Sequence, residues 1–293
     1  MDNRLAFTVI GGDKRQLELI YILLEMGHKV SALGFDKLGN SGVNLYTTMD
    51  TRLFNCNVLL LPIPLRDKRG NINIKESNII VTLRDIMESI EDIKPWIVLG
   101  KADEKFIEAA SAKNISYMDI IEKESFSILN AIPTAEGAIQ RAMEMMDITI
   151  HGAKALVLGY GRIGKSLSRM LKGIGAHVTV EARKREDLAW ILENGFNPVH
   201  LKEIDAVLPH QDIIFNTVPH LILDRYKLSK IKSETVIIDL ASYPGGVDFP
   251  VASQLGIKAS LDLGLPGLVA PKTSARIIYK VIMDSLPKEV ISI

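Results

Sequence analysis

Lys154-Ala155-Leu156-Val157-Leu158-Gly159-Tyr160-Gly161-Arg162-Ile163-Gly164 is the stretch that decides the fold of this 293-residue chain. A short apolar run passes through three glycines, spaced Gly-x-Gly-x-x-Gly, into a segment from Ile163 to Ile174 patterned as a helix. Strand, tight turn and helix in that order make a pyrophosphate-binding turn. Gly159 lets the chain reverse, Gly161 lets the backbone approach a ligand, and Gly164 lets helix and strand pack closely. The start of the helix favours negative charge. Tyr160, Arg162 and Ile163 ride on the same turn. A glycine turn that binds nothing is the competing reading, and the flanking strand and helix weigh against it.

The same rhythm extends in both directions. Strands are predicted at Ala6–Ile10, Lys29–Leu33, Val58–Leu61, Trp96–Leu99 and Ser116–Asp119, then at Lys154–Leu158, His177–Val180, Ile213–Thr217, Val236–Asp239 and Lys258–Ser260. Helical patterns fall between them, notably Arg15–Met26, Leu83–Ile90 and Glu104–Ala112. Alternation of this kind specifies an α/β protein with two doubly wound parallel sheets and a ligand cleft between them. The expected division is 1–130 for a flavodoxin-like or Rossmann-like substrate domain and 131–270 for the dinucleotide domain. Pro133 is expected to stop a helix coming from Ser125 and to open a new one running to about Ile148. Pro271 opens a closing helix, within 271–293, that returns to the first domain.

Lys plus Arg number 35 and Asp plus Glu 35, so no basic excess exists to neutralise nucleic-acid phosphates or grip an anionic membrane. The single Cys56 excludes an intramolecular disulfide and reads as the start of a buried strand. Met1-Asp2-Asn3-Arg4-Leu5 leads into a first strand and not a signal peptide, and no apolar stretch is long enough to span a bilayer. A cytoplasmic protein is therefore expected.

Cofactor choice is written after the next strand, in Glu181-Ala182-Arg183-Lys184-Arg185. Enzymes that use NAD place a carboxylate on the ribose there. Here Ala182 takes that position, and Arg183, Lys184 and Arg185 offer charge-assisted hydrogen bonds to a 2′-phosphate, which favours NADP. Glu181 keeps NAD open, because a register one residue different would put its carboxylate at the ribose. An exposed helix start that favours neither cofactor is the other alternative. Thr217, Val218 and Pro219 after one strand, and Leu240 and Ala241 after the next, are expected along the nicotinamide side. Gly264 and Leu265 belong to a further glycine- and proline-rich loop over the ligand.

Across the expected cleft, Arg15 and Lys101 stand where a substrate carboxylate would arrive, each with a solvated or ion-paired alternative. Asp13 orients Arg15 or caps the following helix. His220 is the histidine nearest the expected nicotinamide and a candidate proton acceptor, against the reading of an exposed loop histidine. Metal-ligand spacing, a nucleophile elbow and a P-loop are absent from the sequence.

Gly11-Gly12-Asp13 with Arg15-Gln16, Ile132-Pro133-Thr134-Ala135-Glu136-Gly137-Ala138, Asp239-Leu240-Ala241-Ser242 with Pro244-Gly245-Gly246 and Asp248-Phe249, and Leu265-Pro266-Gly267 with Val269-Ala270-Pro271-Lys272-Thr273 together resemble the family of dipicolinate synthase A subunits. That family is related to the D-2-hydroxyacid and alanine dehydrogenases, and the resemblance covers nearly the whole chain. It implies an NADP-dependent oxidoreductase that oxidises dihydrodipicolinate, a branch of lysine biosynthesis, in the mother cell of a sporulating bacterium. It also implies a partner, the B subunit of dipicolinate synthase. Ser274-Ala275 departs from the Ala-Gly expected of the family after Thr273. A dihydropyridine dicarboxylate that gives up a hydride becomes aromatic, so little acid-base help is needed. Arg15, Lys272 and the amides around Thr273 are the candidates for holding its two carboxylates, and His220 for taking a proton. Two other readings stay open: a non-catalytic NADP-binding protein that serves as scaffold or redox sensor, and a dehydrogenase of small 2-hydroxy or amino acids. Activity without the B subunit, the extent of domain closure and association into a homo-oligomer are also left open.

Overall fold

The computed structural model describes residues 4–39, 42–90 and 93–291, so Met1-Asp2-Asn3 and the last two residues of the predicted segment 271–293 lie outside the described residues. The chain divides into two compact units, Met1–Leu129 with Ala270–Ile293, and Asn130–Val269.

In the first unit, β1 (Ala6–Ile10), β2 (Lys29–Leu33), β3 (Asn44–Tyr46), β4 (Val58–Leu60), β5 (Trp96–Leu99) and β6 (Tyr117–Asp119) form one six-stranded sheet in the order β3-β2-β1-β4-β5-β6. Its helices are α1 (Lys14–Glu25), α2 (Leu83–Ser89) and α3 (Glu104–Ala112). Every pairing is parallel. The central runs Val58-Leu59-Leu60 and Trp96-Ile97-Val98-Leu99 are buried throughout, as strands covered on both faces must be.

Helix α4 (Glu124–Met145) crosses the boundary between the units without a break. The expected stop at Pro133 is therefore wrong. A proline ring inside a helix removes one backbone hydrogen bond, but the stripe Ala131, Ala135, Ala138, Ile139 and Ala142 is buried at helical spacing and keeps the helix intact. The Thr134 hydroxyl also donates to the Asn130 carbonyl, at 2.8 Å.

The second unit repeats the plan. Its strands are β7 (Lys154–Leu158), β8 (His177–Ala182), β9 (Asn197–His200), β10 (Ile213–Asn216), β11 (Val236–Asp239) and β12 (Lys258–Leu261), in the order β9-β8-β7-β10-β11-β12. Between them run α5 (Arg162–Ile174), α6 (Arg185–Glu193), α7 (Ile204–Val207), α8 (Arg225–Leu228) and α9 (Phe249–Gln254), and α10 (Leu265–Val269) follows the last strand. The chain closes with α11 (Pro271–Ser285) and α12 (Lys288–Ile291). Helix α11 packs on α1 and sends Ala275, Ile278, Val281 and Ile282 into the first unit's core. Ser274 fits there because its hydroxyl donates to the Ala270 carbonyl at 2.9 Å. Among the described residues no helix is long and apolar enough to cross a membrane.

Candidate dinucleotide-binding site

In the second unit, the register aligns the carboxyl ends of four strands. Leu158 pairs with Glu181 and with Asn216, and Asn216 pairs with Asp239. Beyond this row, at the point where the strand order reverses, lies a pocket of about 280 Å³. It is lined by Gly159, Tyr160, Gly161, Glu181, Ala182, Arg183, Lys184, Asp187, Thr217, Val218 and Pro219.

The three glycines are required for three different reasons. A Cβ on Gly164 would stand 2.1 Å from the Gly159 carbonyl oxygen, so helix and turn touch through backbone. Gly159, at φ +94°, has no space for one beside the Thr217 hydroxyl at 2.6 Å. A Cβ on Gly161 would meet no atom within 4 Å, so its missing side chain leaves open space at the start of α5. Gly161 is also the N-cap, with no side chain to satisfy the first N–H groups of the helix. A diphosphate fits that combination of helix N-terminus, dipole and open space.

Around this cradle the walls are fixed by buried polar contacts. The Thr217 hydroxyl donates to the Leu158 carbonyl at 2.8 Å. Asn216 and Asp239 are fully buried. Asp239 Oδ1 accepts from Asn216 Nδ2 at 2.8 Å and from Ala241 N–H at 3.0 Å, while Oδ2 accepts from Gly246 N–H at 2.6 Å. Asn216 in turn donates to the Val218 carbonyl and accepts from Val218 N–H. One carboxylate therefore ties the loop carrying Thr217, Val218 and Pro219 to the loop carrying Gly245 and Gly246. Glu181 is buried, its Oε2 accepting from Gly159 N–H at 3.1 Å. Burial pushes its carboxyl above the ordinary range, against the opposing pull of that N–H and of Arg183 and His200.

Most of the sequence-predicted cofactor residues gather at this pocket. Arg185, the first residue of α6, does not line it, nor do Arg162 and Ile163, which open α5. Leu240 and Leu265 are core residues and Ala241 is buried, so none of the three has a side chain free for a ligand. Gly264 is exposed at φ +71°. His220 is exposed outside the pocket lining, its N–H bonded to the Val218 carbonyl at 2.8 Å. Asp187 lines the pocket and went unread in the sequence. The available signal was its place one turn past Arg183, in the first turn of α6.

The first unit holds the other candidates. Asp13 caps α1 and grips Arg15 through both carboxylate oxygens, Nε to Oδ1 and Nη2 to Oδ2, each at 2.9 Å. Burial raises the Asp13 pKa, but the Arg15 hydrogen bonds outweigh it and hold the group below the usual carboxylate range. Arg15 Nη2 also donates to the Ile63 carbonyl. Asp13 thus both caps the helix and orients the arginine. Lys272 and Thr273 are exposed in the first turn of α11. Lys101, at φ +64°, lines a separate depression of about 1110 Å³ with Arg66, whose Nε is 2.8 Å from Asp103. Cys56 is half-buried, and burial pushes its thiol up to about 11, which makes it a poor nucleophile.

The first unit's own switch point is closed. Its β1 ends in Gly11-Gly12, at φ +65° and +112°, as β7 ends in Gly159. There the segment Asn73-Ile74-Lys75 lies across the turn, with Gly12 N–H bonded to the Asn73 carbonyl at 2.8 Å and Lys75 N–H to the Gly12 carbonyl at 2.9 Å. Ile74 Cγ1 would stand 2.6 Å from a Cβ on Gly11, filling the space a pyrophosphate would need.

Residues 6–121 match the family described as the N-terminal domain of the dipicolinate synthase A subunit, and residues 128–242 match the D-isomer specific 2-hydroxyacid dehydrogenase, NAD binding domain. The second unit is thus a nicotinamide-dinucleotide domain of the oxidoreductase type. The A subunit of dipicolinate synthase from Bacillus subtilis (strain 168) is 37% identical over 288 residues, covering 96% of each chain. The crystal structure of the Bacillus halodurans A subunit superposes with a TM-score of 0.87 at 37% identity, covering 97% of this chain and 99% of that one. The crystal structure of its Bacillus subtilis counterpart gives 0.86 at 36% identity over 98% and 97%. With sequence and fold alike end to end, the chain belongs to the family of dipicolinate synthase A subunits.

Proposed function

We propose that the chain oxidises dihydrodipicolinate to dipicolinate with NADP as hydride acceptor, acting with a B subunit in the cytoplasm of the mother cell of a sporulating bacterium. The observation that carries the reading is the 37% identity over 96% of the chain to the Bacillus subtilis dipicolinate synthase protein. NADP over NAD is supported by Ala182, Arg183 and Lys184 at the pocket. Bound NADP would supply a nicotinamide ring that accepts the hydride. The first unit, 1–130 with the closing helix, is the substrate domain in this reading. Arg15, braced by Asp13, and Lys272 with the amides around Thr273 hold the two substrate carboxylates. The ring loses one hydride and one proton and becomes aromatic, and His220 takes the proton to solvent.

The test has two stages. Calorimetric titration of the purified chain is expected to give NADPH binding that weakens about tenfold or more in Arg183→Ala, with NADH changed less than about twofold. NADPH absorbance is then followed with dihydrodipicolinate, with and without the B subunit. Nucleotide binding without turnover under either condition would favour a non-catalytic NADP-binding role, a reading that His220's exposure outside the pocket supports. No binding of either nucleotide would end the cofactor reading.

A further inference from the structure

One carboxyl at the floor of the nucleotide pocket has its hydrogen bonding half complete. Glu181 is 2% exposed and lines the pocket. Its Oε2 accepts from Gly159 N–H, while Oε1 is buried with no hydrogen-bond partner. The charges that bear on it are Arg183, at the end of its own strand, and His200, at the end of β9; Tyr160, Lys184 and Asp187 line the same pocket. A buried oxygen left in this state costs free energy until a ligand completes it.

The two protonation states of this group complete it in opposite ways. As a carboxylate, Oε1 accepts from a ribose 2′-hydroxyl, as NAD would offer. Beside a 2′-phosphate the same carboxylate is repelled, whereas the neutral acid keeps Oε2 on Gly159 and turns an Oε1–H donor toward a phosphate oxygen. We propose that Glu181 discriminates between cofactors by entering the NADP complex as the neutral acid and the NAD complex as the carboxylate, so that NADP binding draws one proton from solvent. The inference rests on the dinucleotide reading above. Burial already pushes this carboxyl above the ordinary range, which brings its titration closer to neutral pH. Preference for NADP over NAD then falls as pH rises.

The experiment is calorimetric titration of the full chain with NADPH and with NADH between about pH 6 and 8, each in two buffers of different ionisation enthalpy. Wild type is compared with Glu181→Gln. Titration of the free 2′-phosphate is common to both proteins and cancels. Relative to the variant, wild-type NADPH affinity is expected to fall about tenfold per pH unit once the carboxyl ionises, with extra proton uptake on binding. NADH is expected to show no such difference. Identical pH profiles and proton counts in the two proteins overturn the inference. Glu181→Ala serves as the second variant: it is expected to lose the linkage too, and retention of the linkage there would assign the proton to another group and overturn the inference equally. If wild type binds neither nucleotide, the dinucleotide reading falls and this inference with it; binding without the linkage removes this inference alone.

Discussion

The two units share one strand order, and each has a glycine turn at its switch point, yet only the second keeps that point open. In the first, Asn73-Ile74-Lys75 lies over Gly11-Gly12 and consumes its backbone groups; in the second, Gly161 faces empty space at the start of a helix without a side-chain cap. Topology creates a crevice at the carboxyl ends of the strands, and what fills that crevice decides whether it binds anything.

The comparison can be broken most sharply at Gly164. Gly164→Val drives side chain into the Gly159 carbonyl and is expected to cost the second unit about 3 kcal/mol and to abolish nucleotide binding, read by denaturant unfolding and calorimetry. Next in size is Asp239→Ala, which strands Asn216 Nδ2 and the Ala241 and Gly246 N–H groups; a loss of about 2 kcal/mol is expected, with weakened NADPH binding. Ile74→Ala tests the closed crevice of the first unit. Trimming this half-buried side chain is expected to cost about 1 kcal/mol, with no second equivalent of NADPH bound, since Gly12 remains occupied by backbone partners. A second equivalent would mean that the plug alone separates the two units. The smallest effect is expected at His28, a residue without a counterpart in the nucleotide site.

His28 is buried beside Phe7 and Tyr279, its Nδ1 accepts from Leu5 N–H, and burial holds its pKa below the ordinary value. The unfolded chain therefore binds the proton more readily than the folded one. Stability is unaffected well above about pH 6.5 and falls as the pH drops through that value toward the lowered folded pKa. His28→Gln is expected to flatten that part of the pH–stability curve, measured by urea unfolding between about pH 5 and 8.

Among the described residues, ten of the twelve strands were legible in the sequence, because strands covered on both faces are written as short apolar runs. The two unread ones, Asn44–Tyr46 and Asn197–His200, lie at the same edge of each sheet. Both carry polar, exposed residues, so neither Asn44-Leu45-Tyr46 nor Asn197-Pro198-Val199-His200 shows an apolar run. Pro133 misled for the opposite reason, since a local rule about proline was overridden by burial of a long alanine stripe. At the site, the glycines and the Arg183-Lys184 pair could be read because backbone geometry and charge leave local marks. The Asn216–Asp239 tie and the plug at Ile74 join segments far apart in sequence, and only folding brings them together.

Because the second unit is inserted between Leu129 and Ala270, and α11 contributes Ile278, Val281 and Ile282 to the first unit's core, the two units differ in when they can be finished on the ribosome. The nucleotide unit is contiguous and has all its strands once residue 261 has emerged. The first unit, although synthesised first, lacks part of its core until α11 appears. At about 10 residues per second, its six strands wait on the order of ten seconds with the α1 face uncovered. A nascent chain that stops short of α11 therefore carries a finished nucleotide unit and an exposed apolar surface, the feature by which chaperones and proteases recognise unfinished protein.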